Sequence, residues 1–374
     1  MRDLLVCSHT PVLRSGQTMR TYGIARALAG AGNGLTLLYA RFEGERPDEA
    51  FSSIPGIELV QAIPSRGARR ALAYGRARLA GIPEAFARGV SPELAAAAAE
   101  QARAEDRGRV VADGPIVAAA LRGLARRRPV VYNAHNFESG FRGELEAESP
   151  RSLARLRRFE RSLLEQAAES WMVSEADMAA ARELCPGARL RYAPNVVDVA
   201  AIEPVMGLAE QQRALFVANF TYEPNRNGLE FLLEAVMPLV WEQLPEALLR
   251  LVGAGLDEPP STDPRVEVSG FVSDLAGAYR SARCALVPLL QGGGTPLKFV
   301  EALAYGVPVL ATRRAAAGLA VQDGVDCLLA QDERELAAAL VQALRGRAVD
   351  VGRRGRALAE QRYSIEALTD LLQR

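Results

Sequence analysis

One lysine, Lys298, stands among 45 Lys and Arg residues, and the residues before it are glycine-rich. The stretch Pro288–Thr312 reads P-L-L-Q-G-G-G-T-P-L-K-F-V-E-A-L-A-Y-G-V-P-V-L-A-T. It predicts the end of an apolar strand (Ala285–Leu290), a turn at Gly292–Gly294 and a helix from about Thr295 to Tyr305. Gly306 stops that helix, and a second buried strand follows at Val307–Ala311. Glycines at a strand-to-helix turn let the backbone approach a ligand closely. The new helix then offers unpaired N–H groups and a positive dipole end, which suit phosphate. A cation on the first turn is unfavourable unless an anion offsets it, so a compact ammonium there suggests a phosphate partner. Glu301, three residues on, shares a face with Lys298. Its carboxylate could accept hydrogen bonds from two ribose hydroxyls, or simply pair with Lys298.

A second cluster lies in Y-N-A-H-N-F-E, Tyr132–Glu138. A buried strand over Pro129–His135 puts His135 at a carboxyl edge, where open α/β sheets bind ligands. His135, Asn136 and Glu138 can bind sugar hydroxyls or handle a proton; the structural alternative is a histidine capping the next helix. Gly16, between the first strand and a helix from about Gln17 to Gly30, occupies the corresponding edge position. It is a lone glycine without G-x-G-x-x-G, and a simple turn glycine is an equal alternative.

These residues need a scaffold. Short apolar runs alternate with helical ones: strands over 3–8, 35–40, 57–63, 110–113, 129–135, 170–174 and 190–193, and again over 214–219, 248–253, 266–272, 284–290, 307–311 and 326–330. Helices include 68–80, 92–104, 151–169 and 225–242. Such alternation predicts parallel sheets covered on both faces. The rhythm breaks after Asp198, so two domains are expected, 1–198 and 213–362, with a linker over 199–212. A final helix over 363–374 is expected to pack back on the first domain. The length of 374 residues supports two cores, and two facing α/β halves would leave a ligand cleft.

Composition narrows the function. Apolar content of 49% and charged content of 24% are globular values, and zero net charge gives no reason to expect nucleic-acid binding. The N-terminal M-R-D-L-L-V-C-S lacks signal-peptide form. Cys7, Cys185, Cys284 and Cys327 have no paired spacing, so reduced thiols and a cytoplasmic location are expected. Two histidines and no D-x-D pair at a suitable edge give no metal site and no cofactor. Arginines are dense over 66–128, which permits weak peripheral contact with an anionic membrane or an acidic acceptor, although solvated helix faces explain them better, since they are spread over several elements.

The chain resembles the nucleotide-sugar glycosyltransferases of family 4, with the GT-B fold of two facing Rossmann-like domains. The likeness covers nearly the whole chain. It rests on G-G-G-T-P-L-K-F-V-E-A-L-A-Y-G-V-P-V-L-A-T, with support from S-G-Q (15–17), A-H-N-F-E (134–138), V-S-E-A-D (173–177), P-N-V-V-D (194–198), F-V-A-N-F-T-Y-E-P-N (216–225) and G-F-V-S-D (270–274).

By that resemblance, Glu301 is the second glutamate of an E-x7-E motif and holds the ribose. Gly294, Thr295 and Lys298 hold the diphosphate, with Pro296 and Leu297 beside them, and Gly16 approaches it from the other domain. Phe271 and Val272 sit by the base, Asn219 lies on the donor side, and His135 adjoins the transferred sugar and acceptor. The first glutamate of the motif falls on Gly293, so its donor-sugar contact comes from elsewhere or from backbone. The arginine and lysine that many members carry after the first strand of the second domain are absent around 219–225; Lys298, and less directly Arg226, could replace their charge.

The expected activity is retaining transfer of a sugar from a UDP- or GDP-sugar to an acceptor, without metal. The alternatives are a sugar-nucleotide epimerase or phosphorylase, and a silent sugar-nucleotide-binding protein.

Overall fold

The computed structural model describes residues 1–144, 149–256, 258–291 and 295–373. Two compact units emerge: Met1–Pro194 with Leu368–Arg374, and Asn195–Ala367.

The first unit carries seven parallel strands: β1 (Arg2–Cys7), β2 (Gly34–Ala40), β3 (Ile57–Ala62), β4 (Arg107–Asp113), β5 (Val131–Asn133), β6 (Glu169–Met172) and β7 (Leu190–Tyr192), in the order β3-β2-β1-β4-β5-β6-β7. Continuous apolar runs make these strands, because both faces are covered. Leu4 and Val6 of β1, with Val110 and Ala112 of β4, pack under the helix residues Leu94, Ala98 and Val117. Tyr132 and Met172 belong to a separate cluster with Phe86, Phe159 and Leu163.

The second unit repeats the design with β8 (Arg213–Val217), β9 (Leu248–Val252), β10 (Val266–Val268), β11 (Cys284–Val287), β12 (Val309–Thr312) and β13 (Leu328–Ala330), in the order β10-β9-β8-β11-β12-β13. In both sheets the first strand lies beside the fourth, and the winding direction reverses there. Ligands bind outside the carboxyl ends at such a switch point. Cys7 pairs with Asp113 across the first switch and Ala285 with Leu215 across the second.

The structure corrects several boundaries. The division falls after Pro194 rather than Asp198, and 199–212 is not a free connector. Val197 N donates to Tyr363 O (3.0 Å), Val205 N to Tyr305 O (2.8 Å) and Arg356 Nη1 to Ile202 O (2.8 Å), so the second unit satisfies this backbone. The last helix is Ile365–Gln373; Arg109 and Arg191 of the first unit bond the carbonyls of Leu372 and Leu371 at 2.7 and 2.8 Å. The expected continuous helix 225–242 is Glu223–Phe231, a π-helical turn Leu232–Val236, then Met237–Gln243. Pro238 lacks the N–H that a regular ladder needs, and the wider turn accommodates its ring. Strand β5 ends at Asn133 and β10 at Val268, so His135 and Phe271 lie in the loops beyond them.

Candidate functional site

The two switch points carry separate sets of side chains. In the first unit the set is built on Asp113, the last residue of β4, which is fully buried. Its Oδ1 accepts from Asn133 Nδ2 (2.6 Å) and from His135 Nε2 (2.9 Å), and its Oδ2 from Thr21 Oγ1 (2.6 Å). Arg20 extends the network, giving Nη2 to Asn133 Oδ1 (2.6 Å) and Nη1 to Ala193 O (2.9 Å). Burial alone would raise the Asp113 pKa. The charges and hydrogen bonds of His135, with His9 and Thr21, outweigh it and bring the carboxyl down to about 2. Burial likewise lowers Arg20 to about 10, partly offset by Asp113.

The contact of Nε2 with Asp113 fixes the His135 ring, and no hydrogen bond of its Nδ1 occurs among the described residues. The ring side chain is 10% exposed, so the imidazole is held just beyond the strand end with little rotational freedom. Gly114 makes room for it: φ is +83°, and a Cβ there would lie 2.7 Å from His135 Cε1. Gly114→Ala is therefore expected to cost about 1–3 kcal/mol in backbone strain and to displace the imidazole. Thermal unfolding alongside the rate checks this, and a full-rate, full-stability Ala variant would remove the cradle.

The other expected residues separate. Gly16 begins the helix Gly16–Gly30, exposed, behind a Ser15 N-cap reciprocated by Thr18. Asn136 is half-buried. Glu138 is buried and lies 3.5 Å from Arg142, with burial raising its pKa. Glu160 accepts from the N–H groups of Glu138 (2.5 Å) and Ser139 (3.0 Å), and burial raises its own pKa to about 7. Glu160 thus caps the start of the helix Glu138–Glu144.

In the second unit the helix after β11 begins at Leu297, behind Pro296 rather than at Thr295. Thr295 is buried, and its carbonyl accepts from Asn195 Nδ2 at 2.8 Å. Gly293 and Gly294 lie outside the described residues. Lys298 Nζ donates to Asn225 Oδ1 and stands 5.3 Å from the Phe216 ring centroid. Asn225 is buried in the helix Glu223–Phe231 that follows β8, and its Nδ2 donates to Asn219 O at 2.6 Å. Two helix starts, one on each side of the switch, are therefore joined through one ammonium. Gly228 permits this closeness, since a Cβ there would be 2.8 Å from Pro288 O. Burial lowers Lys298 to about 7. It raises Glu301 to about 7 as well, opposed by the hydrogen bond from Tyr279, whose ring stacks on Tyr305 at 4.1 Å. The two groups do not pair with each other among the described contacts; each has its own partner.

Asn219 is exposed, its Oδ1 accepting from Thr221 N (3.0 Å) and Oγ1 (2.7 Å). Phe271 is 85% exposed, Val272 half-buried and Arg226 exposed. Pro296 and Leu297 are half-buried. Sequence reading missed Asp113, Arg20, Thr21, Tyr279, and the roles of Asn133 and Asn225. An acid closing a buried strand before Gly-Pro, as in V-V-A-D-G-P, was the available signal for Asp113. Among the described residues no group of three or more His, Cys, Asp or Glu is placed to hold a metal ion.

Two sheets wound in this order are the GT-B type of fold, two Rossmann-like domains. Residues 211–346 match the family described as glycosyl transferases group 1, which supports a glycosyltransferase. A phosphatidyl-myo-inositol mannosyltransferase of Mycobacterium leprae (strain TN) is 33% identical over 165 residues, 41% of this chain. The match spans 43% of that relative's length. Among solved structures, a sucrose-phosphate synthase from Thermosynechococcus elongatus aligns with a TM-score of 0.75 at 18% identity, over 100% of this chain and 98% of that one. HepE of Anabaena, in complex with UDP, aligns with a TM-score of 0.69 at 16% identity, again over 100% and 98%.

Proposed function

We propose that this chain is a retaining glycosyltransferase that moves a sugar from a nucleoside-diphosphate donor, UDP- or GDP-linked, to a glycan, lipid-linked or small-molecule acceptor. The observation that carries this reading is Lys298, held by Asn225 where the helices after β8 and β11 both begin. Two sets of helix-start N–H groups and one ammonium form a place for a diphosphate. As the sugar departs, charge grows on the leaving phosphate, and these fixed donors gain strength in step with it. Glu301 takes the ribose hydroxyls. His135 Nδ1, fixed by Asp113, accepts from a hydroxyl of the transferred sugar or acceptor, and the leaving phosphate takes the acceptor proton. The scheme needs no metal, so chelator should leave the rate unchanged. Buried free thiols and the arginines over 66–128 favour a cytoplasmic enzyme with weak membrane contact; no helix among the described residues is long and apolar enough to cross a membrane.

The test is thermal stabilisation by uridine and guanosine diphosphates and their sugars, since a ligand of the native state raises the melting temperature. Transfer assays with the stabilising donor follow, with the anomeric configuration of the product read by NMR. Stabilisation by none of them would end the reading. Donor turnover without acceptor would favour an epimerase or phosphorylase instead.

A pH dependence follows from the two shifted groups. A diphosphate favours charged Lys298, and ribose hydroxyls favour ionised Glu301. Donor affinity should fall below about pH 7 as Glu301 gains its proton, and above about pH 7 as Lys298 loses one. Titration calorimetry with a nucleotide-sugar avoids the terminal phosphate of a free nucleotide, which itself titrates near pH 6. The alkaline limb should vanish in Lys298→Ala and the acid limb in Glu301→Gln; limbs that survive their own substitution contradict the assignment.

A further inference from the structure

Away from both switch points, the first unit has a cavity of about 580 Å³ whose rim and floor carry four arginines, Arg78, Arg122, Arg155 and Arg158. Among the described residues no carboxylate lines it. Three helices build it. Arg155, Arg158 and Ser162 lie at helical spacing on Pro150–Gln166, Arg78 lies in the last turn of Gly67–Leu79, and Arg122 begins Arg122–Ala125. Arg78 and Arg122 stand at or beyond the finishing ends of Gly67–Leu79 and Gly114–Ala120, and none of Thr21, Asp113, Asn133 and His135 lines the cavity.

Arg122 is fixed in place. Its guanidinium lies 5.4 Å from the Phe159 ring centroid, with Nη2 on Ser162 Oγ (2.8 Å) and Nη1 on Ala80 O (3.4 Å). Its Nε is buried with no partner. Arg155 and Arg158 are exposed on the rim, and Arg155 has no ion pair among the described residues. Like charges gathered around a concave surface repel one another when it is empty and focus an attractive field on an anion. Planar guanidinium forks match phosphate oxygens two at a time. Ile82, Pro83 and Phe159 supply an apolar wall, as in small-ligand sites. Leu79, beside Arg78, is 90% exposed.

We propose that this arginine-lined cavity is a binding site for a phosphate-bearing group, distinct from the donor site. The site goes beyond the transferase reading and stands whether or not that reading holds. Two sources share this chemistry, a soluble phosphorylated molecule and a phospholipid headgroup.

The experiment compares the full chain, the double variant Arg155→Ala with Arg158→Ala, and Lys298→Ala. Each is titrated with inorganic pyrophosphate by calorimetry at about 0.15 M salt, where distant charges are screened. Each is also sedimented with phosphatidylcholine vesicles with and without phosphatidylglycerol. Both rim arginines are exposed on a helix, so alanine preserves the fold. The expected result is pyrophosphate binding that survives Lys298→Ala and weakens at least about tenfold in the double variant, through two lost charge-assisted contacts. Retention on phosphatidylglycerol vesicles that the double variant loses assigns the cavity to a lipid headgroup; pyrophosphate binding without vesicle retention assigns it to a soluble phosphate. Binding to neither probe, or equal binding by the double variant and the parent, overturns the proposal. Loss of donor stabilisation alone would count against the transferase reading and leave this site untouched.

Discussion

Lys298→Ala is expected to lower turnover by about two to three orders of magnitude, or ~3–4 kcal/mol of transition-state stabilisation, the usual cost of one strong donor to a developing oxyanion. The ammonium is the chain's only lysine side chain, and Asn225 and Phe216 hold it where two helices begin. Its loss falls on the chemical step, because charge on the leaving diphosphate is greatest there. The fold is expected to survive. Burial brings the amine down to about 7, below the ordinary 10.5. Between those values the unfolded chain binds the extra proton, so this group makes stability rise with pH across that window, and below it the buried charge is a cost. Removing it lifts that cost, so the melting temperature near neutral pH should not fall, and this pH dependence should disappear. Lys298→Arg should not restore the rate, since a planar guanidinium does not fit a place shaped for a compact ammonium. A variant with near-normal turnover would remove the diphosphate clamp from the proposed mechanism.

Asp113→Ala is expected to have the largest effect on stability, about 3–5 kcal/mol. It leaves the buried polar groups of Asn133, His135 and Thr21 without their acceptor. The first unit's melting transition should drop by on the order of ten degrees. His135→Ala removes only one partner at the rim of this network, so it should cut the rate while lowering stability much less. The carboxyl sits near 2, below its ordinary 3.8. Its stabilising contribution is complete above about pH 4 and is lost as pH falls through about 2, and that loss should be absent in Asp113→Asn. Differential scanning calorimetry between pH 2 and 5, where the group titrates, reads it directly. An Asp113→Ala protein that melts like the parent would show that the network is dispensable.

The repeat of short apolar strands and helices was legible because each element obeys a local period. The helix carrying the single lysine and the glutamate one helical turn later was legible for the same reason. Strand ends were less so. Val266–Val272 and Pro129–His135 look continuous in hydropathy, yet β10 and β5 are three residues each, because pairing depends on how far the neighbouring strand extends. The boundary expected after Asp198 moved to Pro194 for a similar reason: hydrogen bonds to Tyr363 and Tyr305 lie far along the chain.

Sequence by itself determined that this chain builds two parallel-sheet units and carries Lys298 and Glu301 on one short helix after a strand, since period and residue type act over a few neighbouring residues. Only the tertiary structure decided which groups meet. Sheet order puts β1, β4 and β5 side by side, so Thr21, Asp113 and His135 converge across 92 and 22 residues. It brings Lys298 to Asn225 across 73 residues, and it gathers Arg78, Arg122 and Arg155 around one cavity. Burial then set the charges, lowering Lys298 and raising Glu301. Desolvation depends on everything packed around a group, which no local stretch of residues records.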